Sequence, residues 1–518
     1  MTAEKFPESY EDALDLDDNV IHEKQYLDAT TTQAQQLVAE RATTKALIRH
    51  HLSVAQDARV VIKYKECRIG TFNICFPVVV EPLDAPCRRL FLRCAMPHKL
   101  GEVRSRGAVD EKMSCEVATY AWMQEHCPGI RIPHLYGFGL ADHRQFTHQS
   151  HRPFLTRAVQ YLRRMLHAWL RPSTLLSHYI PHTSPYRLST AYMILEDVGA
   201  DKSQMLSNTW AKHRDDPMRR RNLYHGLAKT MLSLASIPQP RIGAFRFHAD
   251  GIITLSNRPI TTSIAILEND GAPRCIPRDR TYAATESYVS DMMTFHDHRL
   301  SSNRNAAFDA TDCSSTMASK VTFRAVAHRY ILEDRREGPF YLRFDDLHAS
   351  NIFVDYDWNI TSLVDLEWVN AQPAELLRVP YWLTDGDLGE FKGEQLSRFN
   401  ERREEFLEIF EAPVLTNVMK RTWEHGGAWF WTGLSSVNGM HAMWSGHICQ
   451  LYAPTLSLSE EETLSKLWCH DSDDFVESKV RDYEAYCEEL KKLYADKDVP
   501  ADKYRRHSTK SLALVAKI

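Results

Sequence analysis

Three oxygen-bearing side chains between residues 342 and 368 have the types and spacing that phosphoryl transfer from ATP requires. Asp346 and Asn351 lie five residues apart on a short loop, and Asp365 follows after two strand-like runs. The reaction needs one carboxylate to orient and deprotonate the acceptor hydroxyl, and an amide oxygen with a second carboxylate to hold Mg²⁺ on the phosphates. We therefore predict that Asp346 is catalytic and that Asn351 and Asp365 are metal ligands.

Each of these residues also has an ordinary structural interpretation. Loop aspartates such as Asp346 commonly cap turns, and Asp345 competes with Asp346 for the catalytic role. The five-residue spacing to Asn351 favours Asp346. Glu367 is either a further metal or substrate ligand or one half of a structural salt bridge. The catalytic interpretation is favoured because a strand–turn–strand pattern brings Asp365 back beside Asn351.

Arg93 and Glu116 are the second pair of candidate residues. Arg93 lies on the strand-like run 90–94, and Glu116 lies on the predicted helix 110–127 that follows it. A cation on a central strand, joined to an acid on the next helix, holds the α- and β-phosphates in kinase-type sites. The usual cation is lysine, but arginine also binds phosphate, in a bidentate manner. The alternative is an unrelated arginine and glutamate on the surface.

Two further segments are candidates for contact with the nucleotide. Gly70 and Asn73 belong to a turn between strand-like runs that is expected to cover the phosphates, although it lacks a repeated-glycine motif. Glu196 and Val198 follow a buried strand-like run, where backbone N–H and C=O groups are expected to bind the adenine edge. An ordinary hairpin turn is an equally good interpretation of the first segment.

Other segments are predicted from composition and periodicity. Residues 1–30 are acidic and polar and predict a loose arm, and residues 31–52 predict one helix. Residues 141–187 are interpreted as an insertion with an amphipathic helix at 154–170. We expect this helix to cover part of the protein's own surface; contact with an anionic membrane is the alternative. The tail, 500–518, is basic.

Size and composition restrict the class of protein. A chain of 518 residues can bury a large core, and its net charge of −5 gives no overall attraction to nucleic acid. The 11 cysteines include no C-x-x-C pair, which favours a reducing compartment. The polar N-terminus does not resemble a secretory signal, and no apolar run is long enough to span a bilayer. We expect a cytoplasmic protein without a transmembrane segment or a nucleic-acid partner.

The candidate residues and their surroundings together resemble the aminoglycoside phosphotransferase (APH) family, within the protein-kinase-like fold, and especially its large fungal branch. The matching segments, spread over residues 58–450, are 92–97, 114–119, 242–245, 255–259, 342–368 and 380–384. The resemblance implies an α+β, two-lobed fold with a small β-rich N-lobe, a larger helical C-lobe and ATP between them. By position, Asp346 matches the catalytic aspartate, Asn351 and Asp365 match the Mg²⁺ ligands, and Glu116 matches the helix partner of Arg93.

Two positions depart from the family pattern. The usual His-Gly-Asp is Phe344-Asp345-Asp346 in this chain. The missing histidine normally braces the loop, so we expect Phe344 to brace it by packing. Arg93 stands where the family usually has lysine, although arginine is frequent in the fungal branch.

The sequence thus predicts an ATP-dependent phosphotransferase whose acceptor is a hydroxyl of a small molecule. The departures at Arg93 and Phe344 motivate the alternative of a catalytically weak or inactive nucleotide-binding protein, a sensor or scaffold. A protein kinase is less favoured, because the chain has no D-F-G, no A-P-E and no activation segment between them. The predicted divisions are an N-terminal arm and helix (1–57), an N-lobe (58–198), a C-lobe (199–450) with the catalytic hairpin (340–368), and a C-terminal helical extension (451–518).

Overall fold

The computed structural model describes residues 6–495, except for 8, 15, 17, 83–85, 200–202, 385, 387, 388 and 390. The predicted basic tail, 500–518, lies outside the described residues. Helices and β-sheets both occur in the described part of the chain, which confirms a mixed α/β protein. The division into two lobes and the domain boundaries stay predictions.

The elements are numbered along the chain. The helices are α1 (Tyr10–Leu14), α2 (Val20–Ala39), α3 (Arg41–Leu52), α4 (Ala108–His126), α5 (Phe154–Leu170), α6 (Trp210–His213), α7 (Pro217–Ala235), α8 (Thr262–Asp270), α9 (Thr285–Ser302), α10 (Ala310–Val326), α11 (Gly393–Ile409), α12 (Pro413–Glu424), α13 (Gly427–Ser435), α14 (Met440–Met443), α15 (Cys449–Tyr452), α16 (Leu458–Ser465) and α17 (Ser472–Ala495). The strands are β1 (Arg59–Ile62), β2 (Arg68–Ile69), β3 (Asn73–Glu81), β4 (Arg88–Ala95), β5 (Leu135–Gly139), β6 (Gln145–His148), β7 (Leu175–Leu176), β8 (Tyr179–Pro181), β9 (Tyr192–Glu196), β10 (Gln204–Met205), β11 (Ala244–Phe247), β12 (Ile252–Asn257), β13 (Tyr341–Phe344), β14 (Ile352–Val354), β15 (Ile360–Leu363) and β16 (Val369–Gln372).

The largest sheet is built from the strands that precede residue 200. Its eight strands include the order β1-β3-β4-β9-β5-β6-β8, and β2 pairs with β3. In the antiparallel register, Arg93 of β4 lies opposite Cys75 of β3 and Met193 of β9. Successive side chains of a strand point to opposite faces. Arg93 therefore projects to the face opposite to that of Leu92 and Cys94.

Helices cover both faces of this sheet. Leu37 of α2 and Leu47 of α3 pack in one apolar cluster with Leu92, so these two helices cover the first face. On the second face Val117 of α4 belongs to the main core together with Met193 of β9. Because α4 is enclosed by the sheet and by β11, it is buried around most of its circumference. The side chain of Arg93 consequently faces α4.

The predicted insertion, 141–187, contributes two short strands to the sheet. β6 pairs with β5, and β8 pairs with β6, so two strands of this segment extend the sheet. Helix α5 stands apart from it, with its large apolar side chains exposed. The helix covers part of the protein's own surface with its polar side, whereas its apolar side is not buried against any described residue. Among the described residues, no helix is both long and apolar enough to cross a membrane.

The prediction for the N-terminal segment is wrong in part. Residues 20–30 are the first half of α2, and residues 31–52 belong to two helices instead of one. The Val20 amide donates a hydrogen bond to the Tyr486 hydroxyl of α17 at 3.2 Å. Ala13 and Val20 also share an apolar cluster with Tyr486. This acidic segment is helical because it packs on a helix near the other end of the described chain.

The predicted hairpin is confirmed as β14 and β15, which pair antiparallel. The strand before it, β13, pairs with β16 and not with the hairpin. Phe344 of β13 is buried in the main core, in agreement with the expected bracing by packing. A hydrogen bond of 2.9 Å from the Val364 amide to the Asn351 carbonyl holds the two loops at the base of the hairpin side by side.

Candidate active site

A hydrogen bond within the loop between β13 and β14 links Asn351 to Asp346. The Asn351 side-chain nitrogen donates a hydrogen bond to the main-chain carbonyl of Asp346 at 2.8 Å. This bond fixes the orientation of the amide, whose oxygen accepts no hydrogen bond from any described residue. An amide oxygen held in this way is available as a ligand for a hard cation.

The two adjacent aspartates have different surroundings. The side chain of Asp346 is 40% exposed, and its Oδ1 lies 3.6 Å from Nε2 of His348. The side chain of Asp345 is only 12% exposed and is directed to Arg343, with 3.7 Å between Oδ1 and Nη2. Burial raises the pKa of Asp346 to about 7, and neighbouring carboxylates act in the same direction. Asp346 is therefore the more open of the two and the better candidate for a base.

The structure brings the ring of His348, on the same loop, to two site residues. Besides its approach to Asp346, its Nε2 lies 3.4 Å from Nδ2 of Asn351, and its Nδ1 accepts from the Ser350 amide at 3.2 Å. Burial lowers the pKa of His348, which favours the neutral ring. His348 thus stands between the Asp346 carboxylate and the Asn351 amide nitrogen, with its Nε2 directed to both.

Asp365 follows β15 in an uncommon backbone conformation. Its φ of 64° lies in the left-handed region, which few residues other than glycine adopt. Its side chain is 28% exposed, and Oδ1 contacts Nη2 of Arg93 at 2.7 Å. Residues held in this region cluster at functional sites, where the surrounding structure maintains the strain.

The predicted pair of Arg93 and Glu116 is present and belongs to a larger group of charges. Arg93 Nη1 lies 3.4 Å from Glu116 Oε1, while Nη2 lies 2.7 Å from Asp365 and 2.9 Å from Glu367. Both Glu116 and Glu367 are buried. A single guanidinium thus joins β4, helix α4 and the loop after β15. Its role towards a nucleotide stays a prediction.

Lys112 is the residue of this group that sequence reasoning missed. Its Nζ lies 2.6 Å from Glu116 and 2.5 Å from Glu367, and the side chain is fully buried. The signal in the sequence was the spacing of four residues to Glu116, which places both side chains on one face of a helix. Glu367 is accordingly held in buried salt bridges, the structural alternative for this residue.

The turn at Gly70 and Asn73 directs one side chain into the protein, and its role towards phosphates stays a prediction. The Gly70 amide donates to the Asn73 carbonyl at 2.9 Å, which closes the turn. The Asn73 side chain points inward: it donates to Glu367 at 2.9 Å and accepts from Lys112 at 3.3 Å. Its amide group is therefore engaged in the charged cluster, and the turn offers backbone groups and the exposed Gly70 to the outside.

The charges of the cluster do not balance. The carboxylates of Glu116, Asp365 and Glu367 face the two cations Arg93 and Lys112. Burial acts to raise the pKa of Glu367, but the adjacent Lys112 and Arg93 outweigh it and hold the pKa at about 2. Burial raises the pKa of Glu116 and of Asp365. One excess negative charge remains when all three acids are ionised.

Among the described residues, Glu116, Asp365 and Glu367 also form a group of possible cation ligands. One carboxylate oxygen of each lies within 4.8 Å of those of the other two. Glu116 and Glu367 are enclosed by Arg93 and Lys112, whereas Asp365 is the most exposed of the three. Asp365 and the amide oxygen of Asn351, which accepts no hydrogen bond from a described residue, therefore fit a magnesium ion by their chemistry.

The segment after β9 has its side chains engaged with the protein. Glu196 accepts from the His134 amide at 3.0 Å and contacts Arg131, while Asp197 pairs with Arg89 at 2.7 Å. The amide of Val198 makes no hydrogen bond to any described residue. The Glu196 amide is engaged as well, because it donates to the His134 carbonyl at 2.9 Å. A role of this segment in adenine binding stays a prediction.

Comparison with known proteins gave no sequence match. No protein-family profile matches the chain, and no curated protein matches it. Among solved structures, one that is similar is a thermostable mutant of aminoglycoside phosphotransferase APH(4)-Ia in ternary complex with AMP-PNP and hygromycin B. It has 11% identity and a TM-score of 0.35 over 86% of this chain and 96% of that chain. A second such mutant, in the same complex, has 10% identity and a TM-score of 0.34 over 88% and 99%. Likeness at this level assigns neither a family nor an activity.

Proposed function

We propose that the protein transfers the γ-phosphoryl group of ATP to a hydroxyl group of a small molecule. The observation that carries this proposal is the meeting of Asp346, Asn351 and Asp365 on two adjoining loops, beside the buried pair of Arg93 and Glu116. Phosphoryl transfer relies on positioning and on charge stabilisation, and these residue types supply both.

Each loop residue has a distinct role in this proposal. Asp346 accepts the proton of the acceptor hydroxyl, because it is the open carboxylate of the loop. Asn351 and Asp365 are the residues that would hold Mg²⁺, which neutralises charge on the phosphates when it is bound. The Asn351 side chain also links the metal site to Asp346, because its amide nitrogen donates a hydrogen bond to the Asp346 carbonyl.

The decisive experiment compares Asp346→Asn with Asp345→Asn in an assay of ADP formation. The acceptors would be a panel of aminoglycosides, other sugars and amino alcohols. For an acceptor that the unmodified protein phosphorylates, we expect Asp346→Asn to lose about 10²–10⁴-fold in turnover, the usual contribution of a positioned base. ATP binding should be retained. Equal losses in the two variants would overturn the assignment of Asp346.

The nucleotide site is tested separately by thermal unfolding with ATP, with and without Mg²⁺. A ligand that binds the folded protein alone raises the midpoint as its concentration increases. We expect a magnesium-dependent rise that Asp365→Ala loses and that a surface variant, Asp357→Ala, retains. No rise with millimolar ATP would contradict the proposed nucleotide site.

A second candidate function, nucleotide binding without transfer, has one specific observation in its favour. Both terminal nitrogens of Arg93 are engaged by carboxylates, so contact with phosphate requires an exchange of partners. This candidate predicts the same magnesium-dependent rise in the unfolding midpoint, but no ADP formation with any acceptor of the panel.

A further inference from the structure

Helix α5 carries an extensive apolar surface that nothing in the described protein covers. Nine of the twenty large apolar side chains that are exposed in the described residues lie on this helix of 17 residues. They are Phe154, Leu155, Val159, Tyr161, Leu162, Met165, Leu166, Trp169 and Leu170. Scattered apolar side chains are normal on a protein surface, whereas a continuous patch marks an interaction site.

The helix is attached to the protein by its polar side. Gln160 donates to the Ser177 carbonyl at 2.9 Å, and Arg164 donates to the Leu176 carbonyl at 2.9 Å and to Glu125 at 2.7 Å. These two residues are four positions apart and hence share one face of the helix. At 3.6 residues per turn, the apolar side chains lie on the opposite side. An amphipathic helix packed on its own protein would have the reverse orientation.

The stretch of sequence that contains this helix is basic. Residues 143–195 contain no aspartate or glutamate and seven arginines, although the whole chain has a net charge of −5. Arg157 and Arg163 are exposed and lie on either flank of the apolar side, between it and the attached side. Long cationic side chains in this position reach up to headgroups while the apolar side is embedded.

We propose that α5 binds the surface of an anionic phospholipid bilayer and lies in its interfacial plane. A large apolar face with tryptophan, phenylalanine and leucine, flanked by arginine, is typical of interfacial helices. The absence of acidic residues in this segment provides the charge complementarity to anionic headgroups. The attached polar side then presents the rest of the protein to the aqueous phase. This inference is independent of the proposed phosphotransferase activity.

The test is sedimentation of the full chain with vesicles of phosphatidylcholine, with or without phosphatidylserine. We expect binding to the vesicles that contain phosphatidylserine and a decrease when salt is raised from about 0.1 M to about 1 M. The variant Leu162→Glu/Trp169→Glu should bind at least about tenfold more weakly, because each substitution removes an apolar side chain that the bilayer would bury. Leu467→Glu, at a side chain that is also exposed, is the matched control and should bind normally.

A second pair of substitutions separates charge from apolar contact. Arg157→Gln/Arg163→Gln should remove the preference for phosphatidylserine and leave the weaker binding to phosphatidylcholine unchanged. Failure of the unmodified chain to sediment with either vesicle would overturn the proposal, as would equal binding by the Leu162→Glu/Trp169→Glu variant. A concentration-dependent dimer that the same variant abolishes, without any vesicle binding, would identify the surface as a contact between two copies.

Discussion

Replacement of Arg93 by methionine tests whether the buried charges hold the site together. The substitution keeps a long side chain but removes the cation that contacts Glu116, Asp365 and Glu367. Lys112 alone then faces three carboxylates, two of which are buried. Removal of one partner of a buried ion pair typically costs about 3–5 kcal/mol, because a charge is left without compensation. We expect a loss of this size in the free energy of unfolding.

The measurement is urea unfolding followed by far-UV circular dichroism, with the midpoint and the slope determined for each variant. Arg89→Met is the matched control, because Arg89 lies on the same strand with a side chain that is 51% exposed and pairs with Asp197. Exposed pairs contribute at most about 1 kcal/mol. The double variant Arg93→Met/Glu367→Gln should recover part of the loss, since it restores the original charge imbalance. A loss in Arg93→Met no larger than that in Arg89→Met would refute the reasoning.

Three further predictions concern stability. Arg258→Met should destabilise the fold by about 3–5 kcal/mol in urea unfolding, because Arg258 is buried between two glutamates. Stability should fall as the pH decreases from about 6.5 towards 3, because burial lowers the pKa of His148 and of His182 to about 3 and the unfolded chain takes up their protons first. The free energy of unfolding, measured by urea titration across this range, should decrease by up to about 1.4 kcal/mol per pH unit for each residue. Gly137→Ala should cost about 1–3 kcal/mol, because its Cβ would lie 2.4 Å from His51.

Each of these predictions has a control in the chain. Arg280→Met replaces a side chain that is 52% exposed and should change the urea midpoint little. If it destabilised the protein as much as Arg258→Met, burial of Arg258 between the two glutamates would not explain the loss. His148→Gln/His182→Gln should reduce the dependence of stability on pH; an unchanged dependence would assign it to other groups. Gly129→Ala meets no atom within 4 Å and should be tolerated, so equal losses at both glycines would contradict the steric argument.

Local sequence patterns were sufficient to predict the strands and the helix that carry the candidate residues. The strand run that became β4, the helix of Glu116 and the β14–β15 hairpin are confirmed within a few residues. Each of these elements is indicated by periodicity and turn residues within a short stretch of sequence. The proximity of Asn351 to the segment of Asp365 follows from the same hairpin.

Contacts between distant segments could not be predicted in this way. The sequence indicated Arg93 and Glu116 as a pair, but the addition of Asp365 and Glu367 depends on how the loop after β15 meets the sheet, more than 270 residues later in the chain. The N-terminal helix likewise depends on Tyr486. The local sequence does not indicate such contacts, because they form between elements that are far apart in the chain.

The sequence by itself determined the residue types and spacing of the candidate site and the amphipathic pattern of α5. Only the tertiary structure decided which groups surround Arg93 and that Asp346 is open while Asp345 is turned towards Arg343. It also decided that α5 is attached by its polar side, with Gln160 and Arg164 bonded to the strand beneath. Periodicity shows that a helix has two faces, but the direction of each depends on the partners that the rest of the fold offers.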